Sequence, residues 1–288
     1  MEQLENRHQP ENAPEQQRAC MQRAFEENLT RQVQFMLKSC VNCGLCADAC
    51  HYCFENDDPD VVPANKIHIL SVFLNRYFHP VKTRLAGFGR PKGPGDKALT
   101  ELYQAAFQNC SICGKCALTC PMGINTGEIL YLARAMLFSQ GRIPSGLVKT
   151  VENALTIGNH AGLSVQDFIE NIEWVSEEMQ EDMGDESFSI PIDKENADIL
   201  YIPHPLEVRD FPFLLMYALK ILHYAQEDYT VSSHGFDTVN YAYYQGSKAN
   251  MVNIAQRVLD ARKNIQAKSI VLAPCGHGYR VLRWEVEK

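Results

Sequence analysis

Eight cysteines fall into two runs of identical spacing. Cys40, Cys43, Cys46 and Cys50 read CxxCxxCxxxC, and Cys110, Cys113, Cys116 and Cys120 repeat it, with Pro121 following. Three thiols at three-residue intervals on one short loop can all ligate a multi-iron centre. A single tetrahedral zinc, held by paired CxxC units, has no use for the third. The chemistry this pattern supports is one-electron transfer through 4Fe-4S cubanes. Gly44, Ala47, Ala49, Gly114 and Ala117 are small enough for a backbone that wraps closely round a cluster and donates N–H groups to its sulfides. Of the eleven cysteines three remain. Cys53 reads as a small buried apolar side chain, and Cys20 lies near an apolar helical face. Cys275 stands in VLAPCGHGYR, where the carboxyl end of a strand meets a turn, and His277 is a candidate second ligand or proton carrier there. The alternative is a turn shaped by Gly276 and Gly278 around an inert thiol. His204 and His234 also fall at strand ends, so these groups could converge.

The elements that must position these residues are legible from periodicity. Apolar residues at Met21, Phe25, Leu29, Val33 and Met36 mark a helical face over residues 15–38 that runs into the first cysteine block. A second helix is expected over 65–78. It is followed by a loop rich in Gly, Pro and positive charge, where Lys82, Arg84, Arg90, Lys92 and Lys97 outnumber Asp96; this is either a docking loop for an acidic partner or headgroups, or a solvated insertion. After the second block Thr126 is the expected N-cap of a helix that Gly141 ends. Residues 165–186 carry nine acidic groups and no Lys or Arg, yet Phe168, Ile172, Val175, Met179 and Met183 keep helical spacing. Beyond Pro191 the pattern becomes βαβαβ, with strands at 199–202, 229–232 and 269–273 and helices at 213–226 and 248–266, which predicts a small parallel sheet with right-handed crossovers. The expected organisation is a flexible tail at 1–17, a helical domain at 18–190 and an α/β domain at 191–288. A net charge of -8 opposes a nucleic-acid partner. No apolar stretch is long enough to span a membrane, and the N-terminus lacks the basic start and apolar run of a secretory signal. The cytoplasm is the expected location.

The duplicated run resembles that of two-cluster bacterial-type ferredoxins, in which the fourth cysteine of each run ligates the other cluster. That resemblance implies one 4Fe-4S cluster on Cys40, Cys43, Cys46 and Cys120, and a second on Cys110, Cys113, Cys116 and Cys50. Residues 20–285 together resemble the HdrD-like iron–sulfur proteins, meaning the D subunit of heterodisulfide reductase and relatives such as DsrK and TmcB. The resemblance rests on CVNCGLCADACHYC, CSICGKCALTCPMGI, the connecting TIGNHAGLSV, and DYTVSS followed by LAPCGHGYRV. It implies an α+β protein: a helical ferredoxin-like two-cluster domain followed by half of a CCG-type α/β domain. It also implies an electron-transfer subunit whose partners are other redox subunits, such as a membrane cytochrome or a flavin or iron–sulfur chain. Such a partner would hold it at the inner face of the membrane. In the family the cubanes feed a special iron–sulfur site, built from CCG repeats, that carries out disulfide or thiol redox chemistry. Here His204-Pro205 stands where a repeat's first cysteine would be, Ser232 and Ser233 where its paired cysteines would be, and the terminal CxxC is reduced to Cys275 with Gly278. Only Cys275 carries over, as the remnant of a further iron–sulfur site. Relatives carry a second repeat after this point, so a truncated product, a split subunit and a non-catalytic conduit all remain open. The leading expectation is an electron relay. A catalytic thiol site around Cys275 and His277 is the first alternative, and an interaction scaffold with structural clusters the second.

Overall fold

The computed structural model describes residues 14–55, 58–78, 93–237 and 239–286. Two compact units emerge. One takes the described residues up to Ser145 together with Tyr244–Ser247; the other takes Gly146–Tyr243 and the residues from Lys248 on. The expected boundary is 190, whereas the units part at 145/146. The reason is packing: the helix Val165–Met183 buries Phe168, Ile172, Val175 and Met179 in one core with Leu215, Leu219 and Val231 of the α/β part. An apolar stripe shows that a helix must be covered but not by what. The expected tail to residue 17 overlaps the helix Pro14–Asn28, and residues 1–13 lie outside the described residues. So do 79–92, and with them Lys82, Arg84, Arg90 and Lys92 of the basic loop.

In the first unit the helix Thr126–Phe138 is apolar nearly all round. Ile129, Leu130, Leu132, Ala133, Met136 and Leu137 are fully buried, as a central helix requires. It packs against Pro14–Asn28 and Pro63–Tyr77. Each buried Leu, Ile or Met contributes about 1.5–3 kcal/mol, so this helix anchors the cysteine loops beside it. Its N-cap is Asn125 rather than the expected Thr126, because the Asn125 side-chain oxygen accepts the Gly127 N–H at 3.0 Å. The expected helix over 15–38 is two helices, Pro14–Asn28 and Arg31–Ser39. Thr30 restarts the chain by accepting the Val33 N–H on its hydroxyl.

In the second unit β1 (Ile199–Ile202), β2 (Tyr229–Val231) and β3 (Ser269–Leu272) form a parallel sheet in the order β2-β1-β3, with Ile199 opposite Tyr229 and Ser269. Alternate residues of β1 serve two cores. Tyr201 faces the helices Val165–Met183 and Pro212–Tyr224, and Leu200 and Ile202 face Val258, Ala261 and Ile265 of Lys248–Ile265. Order 2-1-3 places the topological switch point between β1 and β3, and open α/β sheets tend to bind ligands outside the carboxyl ends of the strands at such a point. Gly235, just past β2, has φ +68° and approaches the helix Lys248–Ile265 so closely that a Cβ would lie 2.4 Å from the Arg257 carbonyl oxygen. Gly235→Ala is expected to destabilise this unit by at least about 2 kcal/mol in urea unfolding. A loss under about 0.5 kcal/mol would show that the helix yields freely.

Candidate metal centre

The two cysteine runs fold into the same loop twice. In each, the second residue after the first cysteine has positive φ (Asn42 56°, Ile112 49°), as does the glycine after the second cysteine (Gly44 83°, Gly114 76°). A short 3-10 turn then carries the third cysteine, Leu45–Ala49 in one run and Lys115–Leu118 in the other. Asn and Gly tolerate this backbone; Ile112 does not, since a β-branched residue there is strained by about 1–3 kcal/mol. Complete burial of its side chain holds it in place.

The loops bring the eight cysteines to two cavities. One, of about 460 Å³, is lined by Cys40, Cys43, Cys46 and Cys120, with no charged residue in its wall. The other, of about 330 Å³, is lined by Cys50, Cys110, Cys113 and Cys116 together with Lys66, Lys115 and His51. Each cavity therefore takes three cysteines from one run and one from the other. Thr126 lines both. Among the described residues no three His, Cys, Asp or Glu side chains converge as ligands of one metal ion. Each cavity wall nevertheless contains four cysteines, the donor count of a 4Fe-4S cluster. Cys53 lines neither cavity. Its thiol is 3.5 Å from the Val61 carbonyl oxygen, and burial together with the adjacent Cys50 pushes its pKa up to about 11.

Two buried cations stand on the side of the smaller cavity. Lys66, 1% exposed, donates to the Asn109 carbonyl, lies 3.9 Å from the Cys50 sulfur and covers the Tyr52 ring at 5.2 Å. Arg134, also buried, donates to the carbonyls of Ala106, Tyr244 and Cys110, the last at 2.6 Å. Burial raises the Cys110 thiol, and Lys66 and Arg134 oppose that rise. Burial raises Cys46 in the other cavity as well. The Ile112 N–H points to the Cys110 sulfur at 3.3 Å, the kind of contact that tunes a ligating thiolate.

A second constellation lies in the α/β unit. His160, from GNHAGL, is buried, with its backbone N–H on Asp237 Oδ2 at 2.6 Å and its Nδ1 3.0 Å from Asp237 Oδ1. Nδ1 therefore carries the proton that Asp237 accepts, and among the described residues the buried Nε2 has no hydrogen-bond partner. The His204 ring meets His160 edge-on at 5.1 Å, Tyr241 does so at 5.3 Å, and the Tyr241 and His277 rings are 6.1 Å apart. Cys275 is buried and accepts the Gly278 N–H at 3.5 Å. His234 does not join these rings. It is exposed and bonds Ser233, while Ser232 and Ser233 bind the Asp193 carboxylate. Sequence reasoning missed Lys66, Arg134, Asp237 and the role of His160. Only the histidine carried a signal, inside the GNHAGL string.

His204 gives this unit a pH dependence. Burial lowers its pKa below the ordinary 6.5, with His160 acting in the same direction. The unfolded chain then binds the proton that the folded chain refuses, so stability is full above about pH 6.5 and falls as pH drops toward the folded pKa. Urea unfolding at about pH 7.5 and about pH 5.5 should show this fall, and His204→Asn should reduce it, leaving the part that His277, whose pKa burial also lowers, contributes. An unaltered slope in the variant would assign it to other groups.

Cysteine loops of this shape around two four-thiol cavities define an iron–sulfur protein, and residues 36–124 match the family described as a 4Fe-4S dicluster domain. More narrowly, the chain is similar to Hdr-like and HdrD iron–sulfur subunits. It is 27% identical over 277 residues, 94% of its length and 49% of the relative's, to the Hdr-like menaquinol oxidoreductase iron-sulfur subunit 2 of Archaeoglobus fulgidus. The corresponding iron-sulfur subunit of Archaeoglobus profundus is 26% identical over 276 residues, 93% of this chain and 49% of that one. The D subunit of the dihydromethanophenazine:CoB-CoM heterodisulfide reductase of Methanosarcina mazei is 29% identical over 161 residues, 55% of this chain and 38% of its own. The chain spans about half the length of the first two relatives. No solved structure matches significantly. Among the described residues no helix is long and apolar enough to cross a membrane.

Proposed function

We propose that the chain is an electron-transfer iron–sulfur subunit of an Hdr-like oxidoreductase complex that relays electrons through two 4Fe-4S clusters. The observation that carries this reading is the pair of cavities, each with four cysteines and each borrowing its fourth from the other run. Cys40, Cys43, Cys46 and Cys120 hold one cluster; Cys110, Cys113, Cys116 and Cys50 hold the other. Each cluster, when bound, supplies a one-electron carrier. The protein's part is to fix the thiolates on rigid loops, exclude water with the helix Thr126–Phe138 and set the local charge. Its partners are other redox subunits of the complex, a membrane cytochrome or a flavin or iron–sulfur chain among them, reached from the cytoplasmic side. Anaerobic purification should yield roughly eight iron and eight acid-labile sulfide per chain, reversibly reducible. Stoichiometric zinc with little iron would overturn the reading. Clusters that no physiological reductant reduces would make the chain a scaffold.

A second reading is favoured by the His160 Nε2, which among the described residues has no hydrogen-bond partner and sits among His204, Tyr241 and His277 near the β1 and β3 ends. In it Cys275 carries thiol redox chemistry and His277 moves the proton, with or without a further iron–sulfur site. Cys275→Ala would then lose turnover of a disulfide substrate while keeping both cubane signals. Unchanged turnover assigns the chain to the relay alone.

A further inference from the structure

We infer that Lys66 makes the Cys50, Cys110, Cys113 and Cys116 site the higher-potential member of the pair, and so directs electrons toward it from the Cys40, Cys43, Cys46 and Cys120 site. This rests on the two-cluster reading above. The two cavities are alike in their thiol count and loop conformation, and they differ in charge. The wall of the larger contains no ionisable group except its cysteines. The wall of the smaller contains Lys66, whose Nζ is 3.9 Å from the Cys50 sulfur in a position closed to solvent.

Among the described residues no carboxylate pairs with Lys66; its neighbours are a carbonyl oxygen, a sulfur and an aromatic face. Lysine is almost never fully buried without a charged partner, and here the partner is supplied by the thiolates and by the negative charge that reduction adds. Lys115 lines the same cavity but is exposed, so water and salt screen it. Buried Arg134 adds positive charge on the same side, at the Cys110 carbonyl. A fixed cation beside a one-electron site stabilises its reduced, more negative form and raises its potential. The exchange is a single electron from one site to the other, with no bond made or broken and no proton required. Lys66 is thus a tuning residue.

The test is an anaerobic redox titration of the whole reconstituted chain followed by electron paramagnetic resonance. The parent should show two separated midpoints. Cys43→Ser should perturb the low-potential signal and Cys113→Ser the high-potential one, with Lys66 intact. Lys66→Gln, which keeps a donor for Asn109, and Lys66→Met, which keeps only the apolar stem, should each lower the upper midpoint alone. The expected change is at least about tenfold in the electron-exchange equilibrium, or about 59 mV for one electron. Lys66→Arg should restore it. A single unsplit midpoint in the parent, the opposite serine assignment, or both midpoints unmoved in Lys66→Gln would overturn the inference. So would a shift in Lys66→Met alone, since that would mark a hydrogen-bond role. Absence of any reversible cluster signal in the parent would instead defeat the two-cluster reading itself.

Discussion

Cys120→Ala is expected to remove the same cluster as Cys40→Ala, although the two residues belong to different runs and lie eighty positions apart. Cys120 lines the cavity of Cys40, Cys43 and Cys46, and Cys50 lines that of Cys110, Cys113 and Cys116. A cubane with three thiolates and an open iron is labile and exposed to oxidation, so each alanine variant should lose about half of the iron and sulfide. The signature of the loss carries the argument. Cys120→Ala and Cys46→Ala should leave one and the same residual reduced-state spectrum, and Cys50→Ala and Cys116→Ala should leave the other. Were Cys120→Ala to match Cys116→Ala instead, each run would hold its own cluster and the crossed assignment would fail. A Cys53→Ala control should retain full iron, because Cys53 lines neither cavity.

The crossed pairing illustrates which parts of the protein can be read along the chain. Strands at 199–202, 229–231 and 269–272 appear within a residue of where short apolar runs place them, because strands of a parallel sheet read as near-continuous apolar runs between turn signals. The cysteine loops announce themselves by local spacing alone. What distant segments decide is hidden. Lys66 lies in a helical stretch, NKIHIL, where a lysine ordinarily reaches water; its burial follows from the meeting of Pro63–Tyr77 with Asn109. Asp237 is 77 residues from the histidine it binds, and nothing in either local sequence predicts the pair. The division at 145/146 is hidden for the same reason. The acidic helix signals an apolar stripe, but only the fold shows that the stripe completes the core over β1 and β2.

Asp237→Ala is the substitution expected to destabilise the α/β unit most among those that leave the cysteines intact. Asp237 is 3% exposed, and its carboxylate accepts three N–H groups: the His160 backbone at 2.6 Å, His160 Nδ1 at 3.0 Å and the Val239 backbone at 2.8 Å. Alanine leaves all three donors in a dry site, and each unsatisfied group costs about 1–3 kcal/mol. Partial relaxation brings the expected total to about 3–5 kcal/mol, the range for breaking a buried charge-assisted pair. Asp237→Asn keeps one acceptor oxygen and turns an amide toward the remaining donors, so about 1–3 kcal/mol is expected of it. The damage should be local at first. Asn159 and Leu163 brace the GNHAGL loop from within, through Asn159 Nδ2 to the Leu163 carbonyl at 2.6 Å and the Leu163 N–H to Asn159 Oδ1 at 2.9 Å. The loop should keep its turn while the His160 ring loses its orientation. Urea unfolding measures the loss. Iron and sulfide content should stay at the parent level, since no hydrogen bond of Asp237 reaches a cysteine run. An Asp237→Ala variant within about 1 kcal/mol of the parent would mean that the three donors find other acceptors, and the fixed orientation of the His160 ring would go with it.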